Sequence, residues 1–569
     1  MSNLRVSLSS VQINDGSSVQ LPAEGIIMVV GPNNSGKTRF LKDVGTLISG
    51  SPGGVVIKRI ETNKIGSTEE LWEYLRSKGA ISNDQGGVER LIGNSGASRH
   101  SYDSVSSWWN SSDLPLLDDV LVLQAATENR LLTSRAARAM NFFDSAPSEP
   151  LHFLYNDPSI ESQLDQISRA AFGMGVFLDR FTGGSHWALR IGDFPGKQLS
   201  RLTAEQHSLV QSLPKLEDQG DGVRSLLGLM LLWLVGAHQI ALLDEPEAFL
   251  HPPQSKFLAQ LLSKESNNSH RQVILATHSS DIVRGALDTP AGVTILRIAR
   301  DGDVNSVSKL SSSDVKRLWS DPLLRYSNLL EGLFSDAVWV CESDGDCRYY
   351  SAIVDSLDAG ISEAMLERRP DVLFTHCNGK HRLHVVVEAM RAASVPVYTI
   401  TDFDILREEE TIAHLVEAFG VEFNDDLKRD RKTVDDALKG RRNRASMGYV
   451  KEAVEKIFAD FSGAYFESEH EKRIRGEIKV ESGWDLAKQV GVSLLSGSSH
   501  EAATRLIGRL AEIGIFLVQE GEVESFVPSV GGHGGTWVAG VLEQGKHLSP
   551  ESDGARGFVS KILGRMEAG

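Results

Sequence analysis

The feature that most limits how this chain can fold is an apolar run that breaks into a glycine-rich loop and then a helix. Residues 25–30 read Gly-Ile-Ile-Met-Val-Val, residues 31–38 read Gly-Pro-Asn-Asn-Ser-Gly-Lys-Thr, and residues 39–48 carry helical spacing. An unbroken apolar run is the mark of a strand covered on both faces, and a following helix returns the chain to a parallel neighbour, so an α/β layered fold is expected. The G-x-x-x-x-G-K-T spacing, with a strand before it and a helix after it, is that of a phosphate-binding loop. Gly31 and Gly36 let the backbone curl, so that the amides around Asn34 and Ser35 and the helix N-terminus face phosphate oxygens. Lys37 is placed to reach the β and γ phosphates and Thr38 to ligate Mg²⁺. A chance match in a loop is the bland alternative.

Residues 240–252 supply a second such ending, Ile-Ala-Leu-Leu-Asp-Glu-Pro-Glu-Ala-Phe-Leu-His-Pro. A buried strand that stops at two carboxylates delivers them to the carboxyl edge of its sheet, where open α/β sheets bind ligands. Asp244 could hold Mg²⁺ through its waters, and Glu245 could orient or deprotonate the water that attacks a γ-phosphate. An ordinary strand end with a helix-capping acid is the alternative. Residues 273–278 form a third buried strand ending in His278, a candidate γ-phosphate contact. Residues 220–225, Gly-Asp-Gly-Val-Arg-Ser, make a glycine-bearing helix start whose free amides can grip phosphate, with Gly222 and Ser225 as candidate contacts. The apolar run at 120–124 is expected to be a strand, with Gln124 or Arg130 as weaker candidates for the ion or the attacking water.

The phosphate loop, the Asp-Glu pair, the Ala-Phe-Leu-His-Pro tail and the Thr-His-Ser strand resemble, in that order, the ABC-type ATPases of the SMC and recombination-repair kind. The resemblance implies a head-to-head dimer enclosing two ATP molecules, with residues 220–225 completing the partner's site. Neither a long heptad coiled coil nor transporter spans accompany it. The apolar run at 226–243 contains Gly236, His238 and Gln239 and leads into the acidic pair, so a buried helix followed by a strand is expected rather than a membrane span. Residues 1–325 are assigned to this domain, with an elaboration at 60–120 and a mainly helical insertion at 133–215 that is a candidate dimer surface.

After Asp321-Pro322 a second α/β pattern begins. Residues 337–342, Ala-Val-Trp-Val-Cys-Glu, read as a strand ending in Glu342, followed by Ser-Asp-Gly-Asp and a helix; residues 395–404 read as a strand ending in Asp402-Phe-Asp404. Glu342, Asp346, Asp402 and Asp404 at one sheet edge would repel one another unless divalent cations neutralised them, and oxygen-only ligands suit Mg²⁺ or Mn²⁺. These motifs resemble the Toprim domain of topoisomerases, primases and nucleases, with one departure: Ser343 stands where that loop usually has glycine. An ABC-type ATPase followed by Toprim resembles the overcoming-lysogenization-defect (OLD) family of nucleases over nearly the whole chain. That resemblance implies ATP-regulated, metal-dependent cleavage of DNA, a role in bacterial defence against phage, and a further metal ligand from Gly-Glu-Val-Glu at 521–524. Glu524 is the first candidate and Glu522 the second. It also implies a C-terminal catalytic lysine, for which Lys546 is a weak candidate and His533 and His547 weaker ones. Toprim is assigned to 335–545, with a helical, basic insertion around 425–480, and 546–569 to a tail.

A length of 569 residues exceeds what one core usually supports. The net charge of −17 excludes a generally basic surface, so nucleic-acid contact must be local. Lys428, Arg429, Arg431, Lys432, Lys439, Arg441, Arg442 and Arg444 offer the best such patch, although a solvated helix face is the commoner meaning of a charge run. The three cysteines, Cys341, Cys347 and Cys377, have no zinc or disulfide spacing, and the N-terminus lacks an apolar signal core, so a cytoplasmic location is expected. Two other readings stay open: a DNA-repair or phage-sensing scaffold that does not cut, and an effector that cleaves RNA. A further defence protein or an RNA is a candidate partner.

Overall fold

The computed structural model describes residues 4–568 apart from 84–87, 93–98, 112–113, 115–116, 141–146, 148, 181–184, 194–202, 323–324, 326–327, 359–369, 442–445, 461–467 and 479–481. The chain divides into two compact units, Met1–Arg325 and Tyr326–Gly569.

The first unit is built on a six-stranded sheet in the order Val304–Leu310, Val293–Asp301, Gly25–Val30, Gln272–Ala276, Ile240–Asp244, Val122–Ala125. Its neighbours are parallel except for the Val293–Asp301 and Val304–Leu310 hairpin. Every residue of Gly25–Val30 and Gln272–Ala276 is buried, as unbroken apolar runs require. The long apolar run resolves into helix Asp221–Leu234 and strand Ile240–Asp244, and no described helix is long and apolar enough to cross a membrane.

A second, antiparallel sheet places Arg5–Ile13 between Ser18–Gln20 and Ile57–Ile65. Gln272 ties it to the central sheet: its Oε1 accepts the Leu8 N–H at 2.8 Å, and its Nε2 donates to the Leu8 and Pro22 carbonyls at 2.8 and 2.7 Å. A side-chain amide has the donor and acceptor pair that a neighbouring strand would have offered, so the two buried Leu8 groups and the half-buried Pro22 carbonyl stay satisfied where the sheets meet.

Several expectations are corrected. At 120–124 only Val122 onward is strand, because Asp118–Leu121 forms a helical turn. In the 133–215 insertion, expected to be mainly helical, helices Pro150–Asn156 and Pro158–Phe172 accompany a small sheet that includes strand Val176–Asp179. Pairing with His186–Ile191 decides this, since it buries all four residues and lets Arg190 meet Asp179 at 3.0 Å. The elaboration at 60–120 is not peripheral, because Leu71, Trp72 and Trp109 join the same hydrophobic cluster as Phe40 and Val44 of the phosphate-loop helix.

The second unit carries a four-stranded parallel sheet in the order Val372–His376, Ala337–Cys341, Val397–Thr401, Ile515–Leu517. Residues 553–568, expected as a tail, form helix Asp553–Ala568, which buries Ala555, Val559 and Ile562 in the core around Trp339 and Trp537. The apolar spacing of that helix is what burial on one face demands.

Replacing Gln272 by Leu should destabilise the first unit by about 2–4 kcal/mol, because it strands the Leu8 and Pro22 main-chain groups without partners. Urea unfolding of the full chain, with the first unit's transition followed, measures the loss.

Candidate functional site

At the carboxyl edge of the first sheet, register brings the three motif strands level. Asp244 lies beside Ala276, and Ala276 beside Val29, just before the phosphate loop. Gly31 has φ 148°, and a Cβ there would stand 2.2 Å from the Ile298 carbonyl, so the loop can turn only on glycine. Asn34 adopts the left-handed conformation at φ 64°, and Ser35 is buried with its carbonyl held by Asn305 Nδ2 at 2.8 Å. Gly36, at φ 103°, starts helix Lys37–Ile48. Lys37 Nζ donates to the Gly31 and Pro32 carbonyls at 2.8 and 2.9 Å, so the ammonium arches over the loop. Burial pulls this ammonium below its ordinary value, and Glu245, Glu247 and Asp244 pull it back. Thr38 Oγ1 donates to Asp244 Oδ1 at 3.0 Å, which places both oxygens where one Mg²⁺ can be shared.

Glu245 takes φ 44°, a strained position for a side-chain-bearing residue, and its exposed carboxylate is 3.3 Å from His278 Nδ1. Two groups brace it. Arg130 is fully buried and donates from Nη2 to the Glu245 carbonyl and to Thr127 Oγ1, each at 2.9 Å. Glu247, also buried, accepts from Thr277 Oγ1 at 2.7 Å and from the His278 N–H at 3.1 Å through one oxygen, which aims the histidine. Arg130 therefore holds the main chain of Glu245. Gln124 is not at the site: it sits level with Leu242 and against Gly45, two turns along the helix from Thr38.

The glycine-bearing helix start is partly corrected. Ser225 is fully buried within helix Asp221–Leu234, and Gly222 packs against the Phe249 carbonyl, which a Cβ would approach to 2.7 Å. Its exposed residues are Gly220 and Asp221.

In the second unit, the first strand of the sheet, Ala337–Cys341, has the second, Val372–His376, on one side and the third, Val397–Thr401, on the other. The crevice between first and third strands is thus a topological switch point, where ligands enter parallel sheets. Glu342 and Asp402 leave those two strands there. Carboxylate oxygens of Glu342, Asp402 and Asp404 lie within 4.8 Å of one another. Glu342 Oε1 accepts from Thr401 Oγ1 at 2.5 Å and from the Asp402 N–H at 3.1 Å. Burial, reinforced by the neighbouring carboxylates, holds Glu342 above and Asp402 well above the ordinary carboxyl range.

Asp346 does not join that trio. Its Oδ2 accepts the Ser343 N–H at 2.9 Å while Ser343 Oγ accepts the Asp346 N–H at 3.2 Å, a reciprocal cap on helix Asp344–Asp358. Ser343 has no positive φ, so glycine is not needed there. Glu524 and Glu522 line the same cleft of about 1260 Å³ as Glu342, Asp346 and Asp402. Gly521, at φ 115° and with a Cβ position 2.2 Å from the Lys488 carbonyl, makes that approach possible.

Sequence reasoning missed the cations of this cleft. Lys380 Nζ lies 3.2 Å from Asp404 Oδ2, and Lys488 Nζ lies 4.0 Å from Asp402 Oδ2 and 3.7 Å from Glu522 Oε2. Burial works against the charge on Lys488, but Asp402, Asp404, Glu522 and Glu342 together raise its pKa above the ordinary value. Lys546 is elsewhere, paired with Glu551 at 2.5 Å, and His547 gives its carbonyl to Arg556. The basic run is largely neutralised within helix Asp425–Lys439: Arg429, Lys432 and Lys439 each meet an aspartate on the same helix. Arg431 is buried and holds the Leu406 and Arg407 carbonyls at 2.9 and 2.7 Å, bracing the turn after Asp404. Arg442 and Arg444 lie outside the described residues.

Residues 26–284 match the family model described as "AAA domain, putative AbiEii toxin, Type IV TA system". With the phosphate loop, Thr38, Asp244 and Glu245 brought to one sheet edge, this part of the chain is an AAA-type ATPase domain. The chain is 32% identical over 97 residues to uncharacterized protein MJECL11 of Methanocaldococcus jannaschii, covering 16% of this chain and 84% of that protein. Over that stretch the chain belongs to one family with it, and its name assigns no activity. Among solved structures, the SMC head bound to the C-terminal winged-helix domain of ScpA is 12% identical, with 54% of this chain and 98% of that one covered and a TM-score of 0.34. The SMC head domain from Thermotoga maritima is 13% identical, with 54% and 99% covered and a TM-score of 0.27.

Glu245→Gln should keep ATP binding and slow hydrolysis by about 10²-fold or more, read from phosphate release beside nucleotide retention. Asp402→Asn should stabilise the metal-free protein at neutral pH by about 1 kcal/mol, since it removes one of several crowded charges. A carboxyl whose folded pKa is raised loses stability as pH rises through that value, so the gain should vanish below the ordinary aspartate range. Melting temperatures at pH 7 and pH 3.5 test both statements.

Proposed function

We propose that the chain is an ATP-regulated, divalent-metal-dependent nuclease of the OLD type. On this reading the second unit is a Toprim-like centre that cleaves DNA, and the role is defence of a bacterium against phage. The observation that carries the reading is the meeting of Glu342, Asp402 and Asp404 at the switch point of a parallel sheet. Their burial and mutual repulsion fit a centre completed by a cation, and their all-oxygen donor set suits Mg²⁺ or Mn²⁺. Bound there, such an ion supplies charge neutralisation and an acidified water for phosphodiester hydrolysis.

The chain's own groups have separate tasks. The Thr401 hydroxyl and the Asp402 amide fix one oxygen of Glu342 and leave the other to ligate. Lys380 holds Asp404 in place, and Lys488 offers an ammonium to the phosphate diester or its leaving oxygen. Glu524 contributes from the segment that follows strand Ile515–Leu517, and Asp346, a helix cap, lines the same cleft.

In the ATPase unit, Gly31, Asn34, Ser35, Gly36 and Lys37 hold the phosphates, Thr38 and Asp244 share Mg²⁺, and Glu245 activates water with His278 at the γ-phosphate. The resemblance to ABC-type ATPases adds a homodimer across the nucleotide. Gly220 and Asp221, rather than buried Ser225, are then the residues presented to the partner. ATP binding sets the state of the assembly, and turnover or nucleotide loss changes nuclease output.

Plasmid DNA and total tRNA, each incubated with Mg²⁺ or Mn²⁺ with and without ATP, test the reading beside an Asp402→Ala/Asp404→Ala double variant. Nicking or linearisation of plasmid by the wild type and its loss in the double variant are expected. Cleavage of tRNA alone would move the substrate to RNA, and cleavage that survives in the double variant would remove the carboxylates from the mechanism.

A further inference from the structure

The amino edge of the ATPase sheet, opposite the phosphate loop, carries two cations that line one cavity. Arg271 stands immediately before strand Gln272–Ala276, about 16 Å from the strand end that reaches the nucleotide site. Lys78 caps the C-terminus of helix Thr68–Ser77. With Trp233, Asn156, Gln163 and Ser269 they line a cavity of about 460 Å³. We infer that this cavity is a second anion site of the first unit, one that takes a small phosphate monoester no larger than a mononucleotide. The inference stands apart from the nuclease reading and draws nothing from the second unit.

Arg271 is the buried member of the pair. It is only 8% exposed, and its main chain is pinned, since its carbonyl accepts from Ser266 Oγ at 2.7 Å and from the Gly25 N–H at 3.2 Å. The guanidinium lies over the Trp233 ring, 5.0 Å from the centroid, and Nη1 donates to the Trp233 carbonyl at 3.0 Å. A guanidinium has five N–H donors, and that carbonyl is the one acceptor its side chain meets among the described residues. No carboxylate among the described residues forms an ion pair with Arg271 or Lys78. A buried guanidinium held by one neutral acceptor is costly, and the fork of donors it keeps open matches phosphate oxygens.

The two cations also act on each other. Partial burial and then the Arg271 charge pull the Lys78 ammonium below its ordinary value, while its Nζ stands 6.0 Å from the Tyr74 ring centroid. Burial opposes the charge on Arg271, and Tyr74 and Glu265 favour it. Two acids line the cavity, and neither neutralises the pair by contact. Glu265 acts on Arg271 through space. Asp157 is committed to the start of helix Pro158–Phe172, where its Oδ1 accepts from the Ser159 N–H at 2.9 Å and from Ser159 Oγ at 2.6 Å. That helix N-terminus lines the same cavity, and the positive end of its dipole adds to the field of the cations.

Like charges brought together at a cavity are relieved by a counter-ion. A phosphate monoester supplies up to two negative charges near neutral pH and three acceptor oxygens, where a carboxylate supplies one charge. The volume lies toward the small end of ligand cavities, which bounds the ester to about a mononucleotide. Asn156, Gln163 and Ser269 offer neutral donors and acceptors for its hydroxyls. An anion held here would bear on the amino ends of the catalytic strands. Arg271 opens the strand that ends before His278, and Trp233 belongs to the helix that leads into strand Ile240–Asp244.

Calorimetric titration of the full chain, with its nucleotide site saturated by a non-hydrolysable ATP analogue and Mg²⁺, tests this with ribose 5-phosphate, inorganic phosphate and ribose as probes. Ribose 5-phosphate should bind at one site, inorganic phosphate more weakly, and ribose not at all. Arg271→Gln should weaken the ester on the order of tenfold or more, and Arg271→Lys should not restore it, because one ammonium lacks the paired donors. Lys78→Glu should abolish ester binding. Lys78 is exposed, so Lys78→Glu should melt with the wild type and bind the ATP analogue equally well, which separates loss of the site from misfolding. No ester binding by the wild type, or binding of inorganic phosphate alone, would overturn the inference. So would unchanged ester affinity in Lys78→Glu and Arg271→Gln, or ester binding that appears only when the ATP analogue is left out, which would place the ester in the phosphate loop.

Discussion

A strand buried on both faces has no place along its length for a charge, so polar chemistry can emerge only where it ends. Both units are governed by this. Gly25–Val30, Ile240–Asp244 and Gln272–Ala276 end at the phosphate loop, at Asp244 and just before His278; Ala337–Cys341 and Val397–Thr401 end just before Glu342 and Asp402. Parallel pairing then brings ends that are far apart in sequence to one edge. The functional groups are close because the strands have nowhere else to put them.

Crowding acids at an edge raises their energy, and the two units offset that cost differently. In the ATPase unit the counter-charges are built into the fold: Lys37 lies over the loop, buried Arg130 holds the main chain of Glu245, and Thr38 bonds Asp244. Glu247 is tied by a hydroxyl and an amide, so its charge is held by fixed dipoles. In the second unit Lys380 meets one carboxylate closely, while Lys488 stands at 3.7–4.0 Å from two others. The remaining negative charge is what a divalent ion would answer. Crowded carboxylates of this kind repel one another and weigh against the stability of the unit.

Rigidity around the second centre comes from an element that reads as a nucleic-acid surface. Helix Asp425–Lys439 uses Arg431 to hold two carbonyls of the turn after Asp404, and it lets helix Gly483–Val490 approach so closely that a Cβ on Gly483 would stand 2.0 Å from the Leu438 carbonyl. That approach sets the backbone carrying Lys488. The positive charge of the run is spent largely inside the unit, and the cleft it supports is acidic.

The sequence by itself determined the strand ends. An apolar run, a glycine or an acid, and a helix are local patterns set by burial and backbone geometry, so the phosphate loop, Asp244, Glu245, His278, Glu342, Asp402 and Asp404 are all visible without coordinates. Some residues were legible but their work was not: Arg130 and Ser343 act through main-chain contacts that no spacing encodes. Lys380, Lys488, Glu247 and the approach of His533 to Glu522 and Glu524, at 3.9 and 3.8 Å, came only from the tertiary structure. Each of these is defined by contact with a distant strand or by a loop turning on Gly521, Gly532 or Gly534. The basic run shows the same limit from the other side, because a charge pattern does not say whether its partners are an external phosphate or the aspartates one turn along the same helix. Periodicity records which face a residue turns inward, whereas electrostatic role depends on distances across the fold, and those exist only once the sheets have closed.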